Sequence, residues 1–224
     1  ATCDDRLICD TIGEHSAALG VQIPDVPALT AGLRRVLDTP LDAVAQGQGR
    51  VLRLRDLAWG DTLRELEFVF PVAGGFDGRP HTGSVNASDL VAAFGVCRDA
   101  HVNDAYLQRL GNLGFGGFRG FLNGSIDLAF RQRPDDDAGD DRWYIVDYKS
   151  NRLPRGRKGP GRYRDYVPAA LNGEMAHAHY LLQYHLYLVA LHRYLRLRQK
   201  NYDYDRHVGG VFYLFVRGMQ GESP

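Results

Sequence analysis

The sequence predicts an α/β domain, a mixed β-sheet with helices packed on it, and three observations carry that expectation. Apolar runs of strand length lie at 63–72, 119–131, 143–149 and 208–217. Only a short acidic turn separates the second from the third, which favours an antiparallel hairpin. A long amphipathic stretch at 174–200 then precedes the last. Strand, strand, strand, long helix, strand is the order of a mixed sheet with helical cover.

The elements follow in chain order. Residues 1–60 read as helical and irregular, with Pro24, Pro27 and Pro40 breaking the apolar pattern. Leu63 to Val72 reads as a strand closed by Pro71 and the Gly74-Gly75 turn. A Gly-rich loop fills 74–86, and Ser88 is the expected cap of a short helix running to about Gly95. Asn103 to Leu110 is a second short helix. The strands 119–131 and 143–149 flank the acidic turn Pro134 to Asp141. A basic loop covers 151–166, Glu174 to Lys200 is expected as one continuous helix, and Val208 to Arg217 as a strand buried on both faces. The division expected is a single domain over 1–224, with a helical N-terminal part at 1–60 and a catalytic core at 61–218.

Composition sets bounds on function. The chain has 224 residues, 27 basic against 27 acidic, so net charge announces no polyanionic partner. No apolar run reaches the roughly 18 residues needed to span a membrane. Three scattered cysteines give no disulfide framework and no four-Cys cluster, and suggest a reducing, cytoplasmic setting. The chain opens on Ala1 rather than Met, and is expected to be a piece of a longer protein. Only three of the basic residues are Lys. A chain that favours Arg this strongly, yet places Lys149 in a strand, has a use there for a compact amine.

Side chains alternate across a strand, so Asp147 and Lys149 share one face while Val146 and Tyr148 point to the other. Asp127 lies between Ile126 and Leu128 in the preceding strand. Both acids thus sit among apolar residues, where an unpaired charge is costly. A divalent cation would remove that cost. Phosphodiester hydrolysis needs an activated water and a sink for added negative charge, and Mg²⁺ on carboxylates supplies both. Lys149 could then hold the water or a phosphoryl oxygen. A plain salt bridge between Lys149 and one of the acids is the competing reading.

Four segments carry a family resemblance: GSIDLAFR, WYIVDYKSN, YLLQYHLYLVALHRYL and YDYDRHVGGVFYLFVRG. They resemble the C-terminal nuclease domain of RecB-type helicase–nucleases (exodeoxyribonuclease V), within the PD-(D/E)XK, restriction-endonuclease-like superfamily. The match covers about 119–218, with a weaker echo in ELEFVFP at 65–71. The resemblance implies a restriction-endonuclease-like fold and a Mg²⁺-dependent (or Mn²⁺-dependent) exodeoxyribonuclease acting in DNA repair and recombination. Asp127, in Gly124-x-x-Asp127, and Asp147 would be metal ligands, joined by the Tyr148 backbone carbonyl. Lys149 completes the Asp-x-Lys pair. Gln183 and Tyr187 match a Gln-x-x-x-Tyr motif whose spacing puts both on one helix face, to contact DNA or buttress Lys149. Glu65 or Glu67 supports the metal, Glu65 matching slightly better, or both are surface charge. The family's upstream Gly-x-x-x-His ligand has no match here. His15 follows Gly13 at the wrong spacing, and the sequence is expected to begin just after the missing His.

The implied partners are single-stranded or unwound DNA and RecC- and RecD-like subunits. Two rivals stand beside the nuclease: a catalytically impaired module docking a partner such as a recombinase, and a sequence-specific restriction endonuclease. Arg152, Arg155, Arg157, Lys158, Arg162 and Arg164 follow the Asp-x-Lys strand directly, as a DNA-phosphate surface or a solvated loop. His177, His179, His185 and His192 lack closed zinc spacing, and the Gly-rich stretch 111–117 has no Walker-type Lys, so neither zinc nor ATP is expected.

Overall fold

A computed structural model describes residues 4–41, 52–72, 84–99, 101–134, 139–153 and 161–221. Its elements are α1 (Asp5–Leu19), α2 (Val26–Asp38), β1 (Thr62–Pro71), α3 (Ala87–Val96), α4 (Asp104–Gly111), β2 (Phe121–Gln132), β3 (Arg142–Lys149), α5 (Pro168–His177), α6 (Tyr180–Arg198) and β4 (Val208–Phe215). The strands form one four-stranded sheet in the order β1-β2-β3-β4. The chain divides into two compact units: 1–63 with 128–167 and 203–224, and 64–127 with 168–202. Strand β2 contributes Phe121 to Asp127 to the second unit and Leu128 to Gln132 to the first.

In the first unit β2 and β3 form the expected antiparallel hairpin, Leu128 opposite Val146 and Phe130 opposite Tyr144. Strand β4 lies parallel to β3, with Asp147 beside Tyr213 and Lys149 beside Phe215. A parallel neighbour requires a long crossover, which α5 and α6 supply in the sequence between them. Leu128, Phe130, Tyr144 and Val146 share a face, and Val36 of α2, Leu54 and Leu214 close a core over it. Both N-terminal helices are capped by an aspartate: Asp4 Oδ1 accepts from the Leu7 N–H at 2.8 Å and Asp25 Oδ1 from the Ala28 N–H at 2.9 Å. Strand β4 is only half-buried over most of its length, with Leu214 and Phe215 buried at its end, rather than buried on both faces as expected. Its two glycines at 209 and 210 leave it little side chain with which to fill either face.

In the second unit β1 runs against β2. The Val72 N–H donates to the Gly120 carbonyl at 2.9 Å, and the Ser125 Oγ donates to Glu65 at 3.2 Å, so the two strands run in opposite directions. The Phe68 ring lies across Gly124, where an added Cβ would meet it at 2.6 Å. That close approach is why the Gly124-x-x-Asp127 segment requires its glycine. Helix α3 begins two residues earlier than Ser88 predicts. Asn86 is the cap, accepting from the Ser88 and Asp89 N–H groups, while Asp89 Oδ2 accepts from the Asn86 N–H to complete a capping box. Phe94, Tyr106, Leu110 and Leu181 form the core between α3, α4 and α6.

The expected continuous helix at 174–200 is two helices. The chain breaks at Ala178–His179, where His179 takes a left-handed φ of 56°. Helix α4 satisfies the ends the break exposes. Arg109 Nη2 donates to the His177 carbonyl at 2.9 Å, and the Tyr106 hydroxyl accepts from the Leu182 N–H at 3.0 Å. Those partners are distant in sequence, so the apolar periodicity of 174–200 alone gives no sign of the break.

Candidate active site

Asp147 is built into the first unit as a buried acid, 2% exposed, near the end of an inner strand between β2 and β4. A carboxylate so placed needs a cation. Lys149 provides one, two residues on and on the same face: its Nζ pairs with Asp147 Oδ2. The competing sequence reading, a salt bridge, is therefore present in the structure. The ammonium also lies 5.2 Å from the centroid of the Tyr213 ring. Tyr213 escaped the sequence reading because only the parallel β3–β4 register brings it beside Asp147. Tyr148 points to the opposite face, is 40% exposed, and lines an apolar groove of about 710 Å³ that His15 also lines. His15 thus sits with the Tyr148 side chain, on the face of β3 away from the Asp147 carboxylate.

The remaining candidates belong to the second unit, apart from the basic loop. Asp127 is the half-buried residue immediately before Leu128, where the described pairing with β3 begins. Glu65 stands on β1 with a left-handed φ of 47° and accepts from Ser125, two residues before Asp127. Glu67 is exposed on the same strand. On α6 the Gln183 Nε2 donates to the Tyr187 hydroxyl at 2.9 Å, so the two motif residues are bonded to each other. Tyr187 is buried edge-on against Phe68, ring centroids 6.0 Å apart.

Arg152, Arg162 and Arg164 are exposed in the first unit, while Arg155, Arg157 and Lys158 lie outside the described residues. The loop's two ends meet just after Lys149: the Tyr166 hydroxyl donates to the Asn151 carbonyl at 2.7 Å. The histidines of α6 are held by packing partners. His185 lies 4.6 Å from the Phe94 ring, and His192 Nδ1 lies 3.0 Å from the Tyr202 hydroxyl.

Among the described residues no group of three or more His, Cys, Asp or Glu side chains is placed to hold a metal. The acids present still suit Mg²⁺, a hard ion that takes oxygen donors and often uses only one or two carboxylates while keeping several waters. Asp147 supplies one such carboxylate, with no thiol or imidazole beside it, while the Lys149 ammonium is a cation and not a ligand.

A mixed four-stranded sheet flanked by helices, with this acid–amine pair at the end of an inner strand, is a restriction-endonuclease-like fold. Comparison with known proteins then gives the family. The chain is 40% identical over 204 residues to the RecBCD enzyme subunit RecB of Mycobacterium tuberculosis, covering 88% of this chain and 17% of that protein. It is 38% identical over 213 residues to RecB of Mycolicibacterium smegmatis, covering 94% and 18% respectively. With RecB of Escherichia coli it shares 34% identity over 198 residues, covering 88% and 14%. No family model matches the chain. The chain belongs to the RecB family and spans less than a fifth of the length of these curated relatives.

Proposed function

We propose that the chain is the metal-dependent DNA nuclease domain of a RecB-type helicase–nuclease, an exodeoxyribonuclease that hydrolyses phosphodiester bonds in unwound DNA during double-strand break repair. The observation that carries the reading is the buried Asp147–Lys149 pair on an inner strand of this fold. The similarity to proteins named as RecBCD enzyme subunits supports it.

The RecB resemblance implies that Asp127, Asp147 and the Tyr148 carbonyl would hold Mg²⁺ or Mn²⁺, with Glu65 in support. A bound ion polarises the phosphate and lowers the pKa of a coordinated water. Lys149, held in place by Asp147 and Tyr213, donates to the attacking water or to a phosphoryl oxygen. The Gln183 amide orients the Tyr187 hydroxyl, which donates to the DNA backbone. Arg152, Arg162 and Arg164 neutralise flanking phosphates. In the complete protein a motor outside this chain would deliver the strand. RecC- and RecD-like subunits are the corresponding partners and the cytoplasm the corresponding setting; no helix among the described residues is long and apolar enough to cross a membrane.

The test is direct. The chain is incubated with end-labelled single-stranded DNA and Mg²⁺ or Mn²⁺, beside Asp147→Ala and Lys149→Ala. Cleavage requires the ion, and each substitution lowers its rate at least about 100-fold, as expected when a group that stabilises developing charge is removed. Cleavage that persisted in EDTA, or in Asp147→Ala, would falsify the assignment. A folded chain that cut nothing with either ion would favour the docking-module reading.

A further inference from the structure

We propose that segment 115–121 of the second unit is a stacking platform for unpaired DNA bases, with Phe115, Phe118 and Phe121 offering ring faces and Arg119 taking a phosphate. The proposal rests on the DNA-cleaving reading above and adds to it the surface that engages the substrate strand. It begins from an anomaly. Three phenylalanine rings lie within seven residues, and they are 38%, 40% and 67% exposed. A cluster of exposed aromatic rings marks a surface that binds something.

The segment is held in place rather than loose. Phe118 is bridged to Val85 in both directions, its N–H donating at 2.7 Å and its carbonyl accepting at 3.0 Å. The Gly120 carbonyl accepts from Val72, and the Phe115 N–H donates to Leu113 at 2.9 Å. Arg119 therefore projects from between two anchored residues. Gly117 and Gly120 take φ of 94° and 113°, conformations strained for any residue with a side chain, so the turns around Phe118 and Arg119 are written into the sequence. Three residues of extended chain span at most about 10 Å, so Phe118 and Phe121 lie within reach of one short stretch of strand.

Charge decides the occupant. Residues 105–126 contain no Asp or Glu, while Arg109 and Arg119 are cationic. Among the described residues no acid pairs with Arg119. Rings interleaved with a cation, on a segment that itself carries no acid, suit a polyanion with flat apolar faces, which describes single-stranded DNA. Every base has such a face, so the platform grips without reading sequence. A duplex keeps its bases stacked on one another and gains little from it.

Binding of a short fluorescent oligothymidylate to the 224-residue chain is measured by anisotropy in EDTA, so that nothing is cut, with the matching duplex in parallel. Phe118→Ala and Phe121→Ala weaken single-strand binding about 5- to 150-fold each, the range measured for removing one base–aromatic stack. Phe118→Leu behaves like Phe118→Ala, because an aliphatic side chain fills space but does not stack. Arg119→Gln lowers the slope of log affinity against log salt by about 0.7. Duplex binding is unchanged throughout. In the cleavage assay the same variants raise KM and spare kcat. The platform is overturned if the Ala variants bind like wild type, if Phe118→Leu retains full binding (a surface for an apolar protein partner), or if duplex binding falls equally. Wild type that binds single strands through these rings but cuts nothing overturns the nuclease reading and leaves the platform standing. Wild type that cuts DNA while the variants keep their KM does the reverse.

Discussion

A buried carboxylate is stable only as one half of a pair, and Asp147 is paired with Lys149. The Lys149 side chain is itself largely buried. Removing that amine strands the carboxylate. Lys149→Met should therefore destabilise the chain by about 3–5 kcal/mol at neutral pH, the usual cost of breaking a buried pair from one side. The double variant Asp147→Asn/Lys149→Met should recover most of that loss, because no charge remains to compensate. Urea unfolding reads both values, and a single variant as stable as wild type would show that the acid is solvated. A divalent ion would take over the lost cation's role, so Mg²⁺ should raise the Tm of Lys149→Met more than that of wild type.

The helices of the second unit depend on polar groups that hydropathy does not report. Asn86, not Ser88, caps α3, and Asn86→Ala should cost about 1 kcal/mol while Ser88→Ala costs less. Equal losses would move the cap back to Ser88. The α5–α6 break depends on Tyr106, which is buried while its hydroxyl accepts the Leu182 N–H. Burial pushes its phenol up to about 12, against the opposing pull of that hydrogen bond. The folded chain thus resists losing this proton more than the unfolded chain does. Its contribution is complete below the ordinary tyrosine value of 10.0 and is lost as pH rises through about 12. Tyr106→Phe should cost about 1 kcal/mol at neutral pH through the lost acceptor, and should flatten the decline in stability across the alkaline window. An alkaline limb unchanged in the variant would assign the decline to other groups.

At the scale of the whole chain the charges cancel, 27 against 27, so any attraction to DNA must come from where they lie. Arg152, Arg162 and Arg164 are exposed just after the strand that carries Asp147 and Lys149. Replacing all three with Gln should reduce the slope of log affinity against log salt by about 2 for single strands, at roughly 0.7 per phosphate released. A slope that did not move would remove this loop from the interface.

The hairpin, the succession of strands along the chain and the shared face of Asp147 and Lys149 were all legible in the sequence. Alternation with period two and a short turn between apolar runs are local properties that no distant contact needs to supply. The RecB resemblance was legible for the same reason, since its motifs are short and contiguous. Other features needed the folded chain. Tyr213 meets Lys149 only through the parallel register, Phe68 finds Gly124 only across β1 and β2, and α5 parts from α6 where Arg109 and Tyr106 arrive from α4. Each joins residues tens of positions apart, and a pattern read along one segment carries no record of which distant group will satisfy it.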